Sequence, residues 1–262
     1  MSSALQLTVL ASGSKGNAVY LEADDFGVLV DAGISCLQIR KRLASLGIDP
    51  AVLRAVCVTH EHSDHVAALD VLQRTLPALD LYANSETARH VKCHTLTWHY
   101  FATGSPFPLG PFAVTPFTLP HDAFDPVGFT FAAGPWKIGI ATDMGMPTQV
   151  ARHHLSDCDA VILEANHEPS ILRTSGRAPH LIQRILSRQG HLCNDDTAAF
   201  ASSIAAAGRL RHLFLAHLSR DCNRPELALH TVASRLRADG YPAVTVSLTY
   251  PDRPTPLLTL PL

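Results

Sequence analysis

The stretch Thr59-His60-Glu61-His62-Ser63-Asp64-His65 follows the apolar run Val56-Cys57-Val58 and puts four strong metal ligands into six positions. Imidazole and carboxylate suit a borderline divalent ion, and a tight turn after a strand aims side chains two apart at one point. His60 and His62 are thereby placed to share one metal, while Asp64 and His65 project to a neighbouring position. The spacing predicts two adjacent ions rather than one closed structural site.

Outward from this run, other strand-like segments end in residues of the same kind. Phe26-Gly27-Val28-Leu29-Val30 runs into Asp31, and Phe117-Thr118-Leu119-Pro120 delivers His121. Trp136-Lys137-Ile138-Gly139-Ile140-Ala141 leads through Thr142 to Asp143, and Leu213-Phe214-Leu215-Ala216 leads to His217.

With these residues in this order, the chain resembles the metallo-β-lactamase superfamily along nearly its whole length. The resemblance implies that His60, His62 and His121 hold a first ion, that Asp64, His65 and His217 hold a second, and that Asp143 bridges them. Asp31 is then an outer carboxylate that orients a ligating imidazole. Zinc is the ion expected for a His-rich site, and manganese or iron also suits the carboxylates and the open geometry.

Four further segments narrow the resemblance: Ala11-Ser12-Gly13-Ser14-Lys15-Gly16-Asn17, Leu163-Glu164-Ala165-Asn166-His167, Gly190-His191-Leu192-Cys193-Asn194-Asp195, and the run from His217 to Ala228. They are similar to the small bacterial YycJ group, also called WalJ or VicX, whose best-supported chemistry is exonuclease-type action on nucleic acid. Cys193 departs from it, since similar chains carry a small polar residue there.

The resemblance implies hydrolysis of a phosphodiester, DNA favoured, by a hydroxide held between two ions, with Asp64 and Asp143 catalytic. His191 is the expected acid for the leaving oxygen. Ser12, Ser14, Asn17, Asn166, His167, Asn194 and Arg220 are the expected substrate contacts, and Arg224 lies close behind Arg220. The rival reading is a thioester or lactone hydrolase resembling glyoxalase II, which the same metal motifs would serve.

Composition agrees with an enzyme of this kind. At 262 residues and 47% apolar, the chain can bury a sizeable core, and one domain over residues 1–262 is expected. No apolar stretch is long enough to cross a bilayer, and no basic-then-apolar leader opens the chain, so a cytoplasmic protein without a membrane partner is expected. Six cysteines without a C-x-x-C pair read as reduced thiols. The net charge of −2 is not that of a nucleic-acid magnet, although two divalent ions make a cleft locally positive and favour an anionic substrate. Too few residues separate Asp143 from His217 for a large inserted RNA-binding domain, so nucleic acid must be gripped by the core fold or by the second copy of a homodimer.

Val, Ile, Leu, Thr and Phe concentrate in strand patterns over 5–11, 17–23, 26–31, 56–60, 111–119, 127–133, 136–143, 160–165, 212–217 and 243–250. Helical patterns cover 36–46, 65–75, 85–93, 180–189, 195–207 and 225–239. Strands first joined by turns and then through helices predict an α/β fold, a four-layer αββα sandwich of two mixed β-sheets flanked by helices. The Pro-rich stretch 104–111 reads as a surface connection. His90, Cys93 and His94 share a helix surface without a further ligand.

Overall fold

The computed structural model describes residues 4–93 and 95–262; His94 lies outside the described residues. The chain opens with a meander of β1 (Ala4–Ala11), β2 (Ala18–Ala23) and β3 (Phe26–Val30), all antiparallel. Asp24 and Asp25 close the second hairpin with φ of 49° and 59°, the left-handed pair that a two-residue hairpin needs and that Asp tolerates. From β3 the chain switches to parallel crossovers through β4 (Leu53–Cys57), β5 (Asp80–Ala83) and β6 (Trp98–Tyr100). The last strand, β14 (Leu258–Pro261), returns to the other edge beside β1, giving the order β14-β1-β2-β3-β4-β5-β6.

The second sheet repeats this plan. Strands β7 (Phe107–Leu109), β8 (Phe112–Thr118), β9 (Val127–Ala133) and β10 (Trp136–Ala141) are antiparallel. β11 (Ala160–Glu164), β12 (His212–Ala216) and β13 (Thr245–Leu248) then continue in parallel, in the order β13-β12-β11-β10-β9-β8-β7.

Three apolar layers hold the sheets and helices together. Leu5, Leu7, Val9, Val28 and Val30 of the first sheet meet Phe129, Phe131, Ile138, Ile140, Ile162 and Phe214 of the second. Leu10, Tyr20, Leu29 and Val56 face outward onto Ile39 and Leu43 of α1 (Cys36–Ser45), with α2 (Ser63–Val66) following and Leu72 of α3 (Leu69–Thr75) completing the layer. α4 (Ser85–His90) follows β5, and α5 (Gln149–Leu155) follows β10. Val161, Leu163, Leu213 and Leu215 pack outward against Leu155 of α5, Ile204 of α8 (Asn194–Ala205) and Val232 and Leu236 of α9 (Pro225–Ala238). The short α6 (Pro169–Arg173) and α7 (Pro179–Ile185) precede α8. The result is an αββα sandwich. Because both faces of the central strands are buried, β11 reads Ala-Val-Ile-Leu-Glu as a continuous run rather than an alternation.

Where the structure departs from the sequence patterns, the cause is local. The strand expected over 56–60 ends at Cys57, because the side chain of Asp31 captures the next amide but one: Thr59 N donates to Asp31 Oδ1 at 2.8 Å. The helix expected over 65–75 splits into α2 and α3. The Asp64 and His65 carbonyls accept from Asn17 N at 2.8 Å and Ala32 N at 2.7 Å instead of continuing one helix, and Ala68 N donates to Ala32 O at 2.9 Å. The Pro-rich stretch 104–111 contains β7, an edge strand in which Pro108 faces Ala113 of β8. An edge strand has one free side, so a residue without an N–H is tolerated there. The strands β5, β6, β7 and β14 and the helices α5 and α6, none of them foreseen, are all of seven residues or fewer.

Candidate metal centre

Residues from five strand ends meet at one edge of the sandwich. Four clusters of ligand-type atoms, each with all atoms within 4.8 Å of one another, are His60, His62 and His121; His60, His65 and Asp143; Asp64, His65 and His217; and Asp143, Glu164, His191 and His217. All seven residues expected to hold metal are therefore gathered, and Asp143 belongs to clusters on both sides. Its Oδ2 lies 3.2 Å from His65 Nε2, and its Oδ1 lies 3.3 Å from His217 Nδ1 and 3.9 Å from His121 Nε2.

Each imidazole is aimed by what its other nitrogen touches. His65 Nδ1 is 2.7 Å from Asp31 Oδ2, His121 Nδ1 is 3.1 Å from Gly190 O, and His217 Nδ1 is 2.8 Å from Glu164 Oε1. These acceptors take the N–H and leave each Nε2 for the centre, the arrangement that metal-binding histidines require. His121 Nε2 and His217 Nε2 are buried there without a hydrogen-bond partner. His60 Nε2 and His62 Nδ1 face one another at 3.0 Å. Buried nitrogens converging without partners are satisfied by cations, so the donor set fits divalent metal.

The backbone is bent to make this possible. Asp31, Asp143 and His217 have φ of 62°, 58° and 55°, the left-handed region, and all lie at or just past the ends of β3, β10 and β12. Such residues persist only where their surroundings hold them, at about 1–3 kcal/mol each. Gly33 is a second requirement: a Cβ there would fall 1.6 Å from Asp64 O, so only glycine lets the Asp31 loop close onto the ligand loop.

The charges are arranged around the missing cations. Burial pushes the His60 and His121 imidazoles down, so both stay neutral. Burial also opposes charge on His65 and His217, but the carboxylates win. Asp31 and Asp143 hold His65 well above its ordinary value, and Asp143, Asp64 and Glu164 raise His217 to about 10. Asp143 is held well below the carboxylate range by His217 and His65 in spite of its burial.

Glu164 carries no role in the sequence reading, yet it is fully buried at the end of β11. It accepts from His191 Nδ1 at 2.7 Å, His217 Nδ1 at 2.8 Å, Met144 N at 2.8 Å and Leu192 N at 3.2 Å. A lone carboxylate closing an apolar strand was the available signal, since a buried charge demands partners. Its own pKa falls to about 2, burial being overcome by His191 and His217. Because these contacts already satisfy the cluster of Glu164, His191 and His217, it needs no ion of its own.

The residues expected to meet substrate divide into two sets. Ser12 Oγ accepts from His217 N at 2.7 Å, and Asn166 Nδ2 donates to His217 O at 2.8 Å, so both grip the His217 loop. Asn17 Nδ2 lies 3.1 Å from His65 Nε2, and Asn17 Oδ1 accepts from Gly13 N at 2.9 Å. Asn194 pairs with Asn223 at 3.0 Å beneath the loop. His167 is buried with both ring nitrogens unpartnered, and burial lowers it to about 4. Ser14 and Arg220 are exposed, and half-buried His191 borders the centre.

Residues 27–217 match the Beta-lactamase superfamily domain. The chain belongs to that superfamily. This superfamily member is 36% identical over 260 residues to the exodeoxyribonuclease WalJ of Streptococcus pneumoniae, covering 95% of this chain and 96% of that one. It is 36% identical over 262 residues to the exodeoxyribonuclease YycJ of Bacillus anthracis, covering 96% and 97%. It therefore falls in the WalJ/YycJ group. Among solved structures, the metallo-beta-lactamase fold protein YhfI of Bacillus subtilis superposes with a TM-score of 0.73 at 18% identity, covering 98% of this chain and 99% of that one. With its His and Asp clusters the superfamily member is a metal-dependent hydrolase. No helix among the described residues is long and apolar enough to cross a membrane.

Proposed function

We propose that the protein is a phosphodiesterase of exonuclease type that acts on nucleic acid, DNA favoured, with two divalent ions, zinc before manganese or iron. The observation that carries this reading is the placement of Asp143 within reach of both ligand clusters, beside a His191 whose Nδ1 is already held by Glu164. His60, His62 and His121 would hold one ion, Asp64, His65 and His217 the other, with Asp143 between them. Bound there, two such cations supply a water acidified toward neutrality and neutralise charge on the phosphoryl group.

The chain's own groups do the rest. Asp64 is kept ionised by His217 and His65 against its burial, so its carboxylate accepts a hydrogen bond from the attacking water and orients it. Glu164 and Asp143 raise the His191 imidazole in spite of burial, so it carries a proton at neutral pH. With Nδ1 spent on Glu164, Nε2 donates that proton to the leaving oxygen. Ser12, Asn17, Asn166 and Asn194 fix the ligand loops, and Arg220 meets the substrate. His167 and Ser14 keep no role in this scheme. The whole chain, 1–262, acts as one domain in the cytoplasm, since its central apolar layer mixes side chains of both sheets.

Cleavage of labelled duplex DNA, single strands and RNA, each with and without a 5′-phosphate, beside a thioester panel, tests the proposal. Metal-dependent release of nucleotides from DNA is expected. Thioester turnover without cleavage of any nucleic acid would overturn it.

A further inference from the structure

On the His217 side of the centre lies a cleft of about 400 Å³ whose lining includes Arg220, Arg224, Arg253 and Tyr250. One serine joins it to the ligands: Ser12 Oγ accepts from His217 N at 2.7 Å, and Ser12 N donates to Tyr250 O at 3.1 Å. Arg42 braces the far wall, donating from Nη1 to Leu10 O at 2.7 Å and from Nη2 to Pro251 O at 3.1 Å. The cleft is therefore tied to the metal loop by backbone contacts, a mounting that keeps a subsite in register with the chemistry.

Three guanidinium groups face a single carboxylate here, that of Asp252. Asp252 Oδ1 is 3.9 Å from Arg253 Nη1, with both side chains exposed, a weak pairing. Asp221, the neighbour of Arg220 in sequence, is taken by Arg177 at 2.8 Å. Arg220 has no hydrogen-bond or ion-pair partner among the described residues, and Arg224 donates from Nη1 to the carbonyl of Asn223 at 2.6 Å. Arg253 lies over Tyr250, its Cζ 3.7 Å from the ring centroid, which holds the guanidinium while leaving its N–H edge free. On the His121 side the situation is reversed, because Arg184 is bound to Asp122 and its charge is spent.

We infer that this arginine-lined cleft holds the sugar–phosphate backbone of the substrate strand next to the scissile bond. The polymer then leaves the metal centre past His217 and Tyr250, and the released nucleotide lies toward His121. The inference rests on the phosphodiesterase reading. Guanidinium groups recognise phosphate oxygens without reading bases, and a planar Arg–Tyr pair offers a stacking face that any base can use, as a sequence-tolerant exonuclease needs.

The test compares the wild-type holoenzyme with Arg220→Ala/Arg253→Ala on a labelled single strand and on bis(4-nitrophenyl) phosphate. The KM rise on the strand is expected to exceed any change on the small ester by roughly tenfold or more, and the slope of log KM against log salt should fall by about two. Arg220→Lys/Arg253→Lys, which keeps both charges, should restore the salt slope. Equal losses on the two substrates, or an unchanged slope, would overturn the inference. A wild-type enzyme that cleaves no nucleic acid would defeat the phosphodiesterase reading instead. The cleft is then judged by anisotropy with a short phosphorothioate strand, where equal affinity of wild type and double variant overturns it.

Discussion

Glu164 holds His217 by a 2.8 Å hydrogen bond to Nδ1 and thereby decides which ring nitrogen faces the ligand cluster. A residue three strands away in sequence order from the ligand loop thus controls it from beneath, without pointing at the cavity. Glu164→Gln keeps the shape but removes the charge that favours the imidazole in this orientation. Metal affinity should fall by roughly 10- to 100-fold, the usual cost of losing such a partner. Elemental analysis after dialysis against a graded chelator reads it, and an unchanged metal content would show that Glu164 is a packing residue only.

Protons and metal compete for the same nitrogens. In the metal-free protein His217 is raised to about 10, its burial overcome by Asp143, Asp64 and Glu164, and His65 also stands well above its ordinary value. Divalent ions bind neutral imidazole, so uptake at neutral pH must expel protons, and affinity must weaken as pH falls. The metal-free protein behaves in the opposite sense. A folded pKa above the unfolded value of about 6.5 gives stability that is complete below about pH 6.5 and is lost as pH rises toward 10. Zinc titration calorimetry in buffers of different ionisation enthalpy should show proton release. Melting curves of the chelated protein should fall across that window, and a flat profile with no proton release would refute the assignment.

Why so much of this centre was legible in the sequence follows from its position. The ligands sit at strand ends, where apolar runs stop abruptly at Asp31, His60, Asp143 and His217, and both the stop and the residue type are visible in one dimension. The helix break at Ala67 was not visible, because it depends on Ala32 and Asn17 taking the carbonyls of His65 and Asp64 from another part of the chain. Ser12, Asn17 and Asn166 were seen as polar residues near the site, but only coordinates show their atoms turned onto the His65 and His217 loops. Short edge strands such as β6 and β7 carry too few residues for a periodic signal.

Cys193 now has a structural explanation for its departure from a small polar residue. It occupies the N-cap of α8, where its Sγ accepts from Asp196 N at 3.4 Å. Sulfur is a weak acceptor, and oxygen side chains are the strong caps at this position. Burial pushes the thiol up to about 11, so it stays protonated and unreactive at neutral pH. Cys193→Ser is expected to keep full activity and to gain about 0.5–1 kcal/mol in denaturant melts. Loss of activity with intact folding would mean that the sulfur takes part in the chemistry.

The role of His191 separates from metal binding by choice of substrate. Its Nδ1 is committed to Glu164 at 2.7 Å, and its ring lies beside those of His121 and His217 at centroid distances of 5.2 Å and 5.1 Å. If Nε2 protonates the leaving oxygen, His191→Ala should lower kcat on a natural phosphodiester by roughly 10² to 10⁴ while both ions remain bound. An ester with a nitrophenolate leaving group departs without a proton and should lose far less. Equal losses on both substrates through KM would assign His191 to phosphate binding instead. Loss of an ion from the variant would place His191 among the ligands and show that Glu164 holds two metal-binding imidazoles rather than one ligand and one acid.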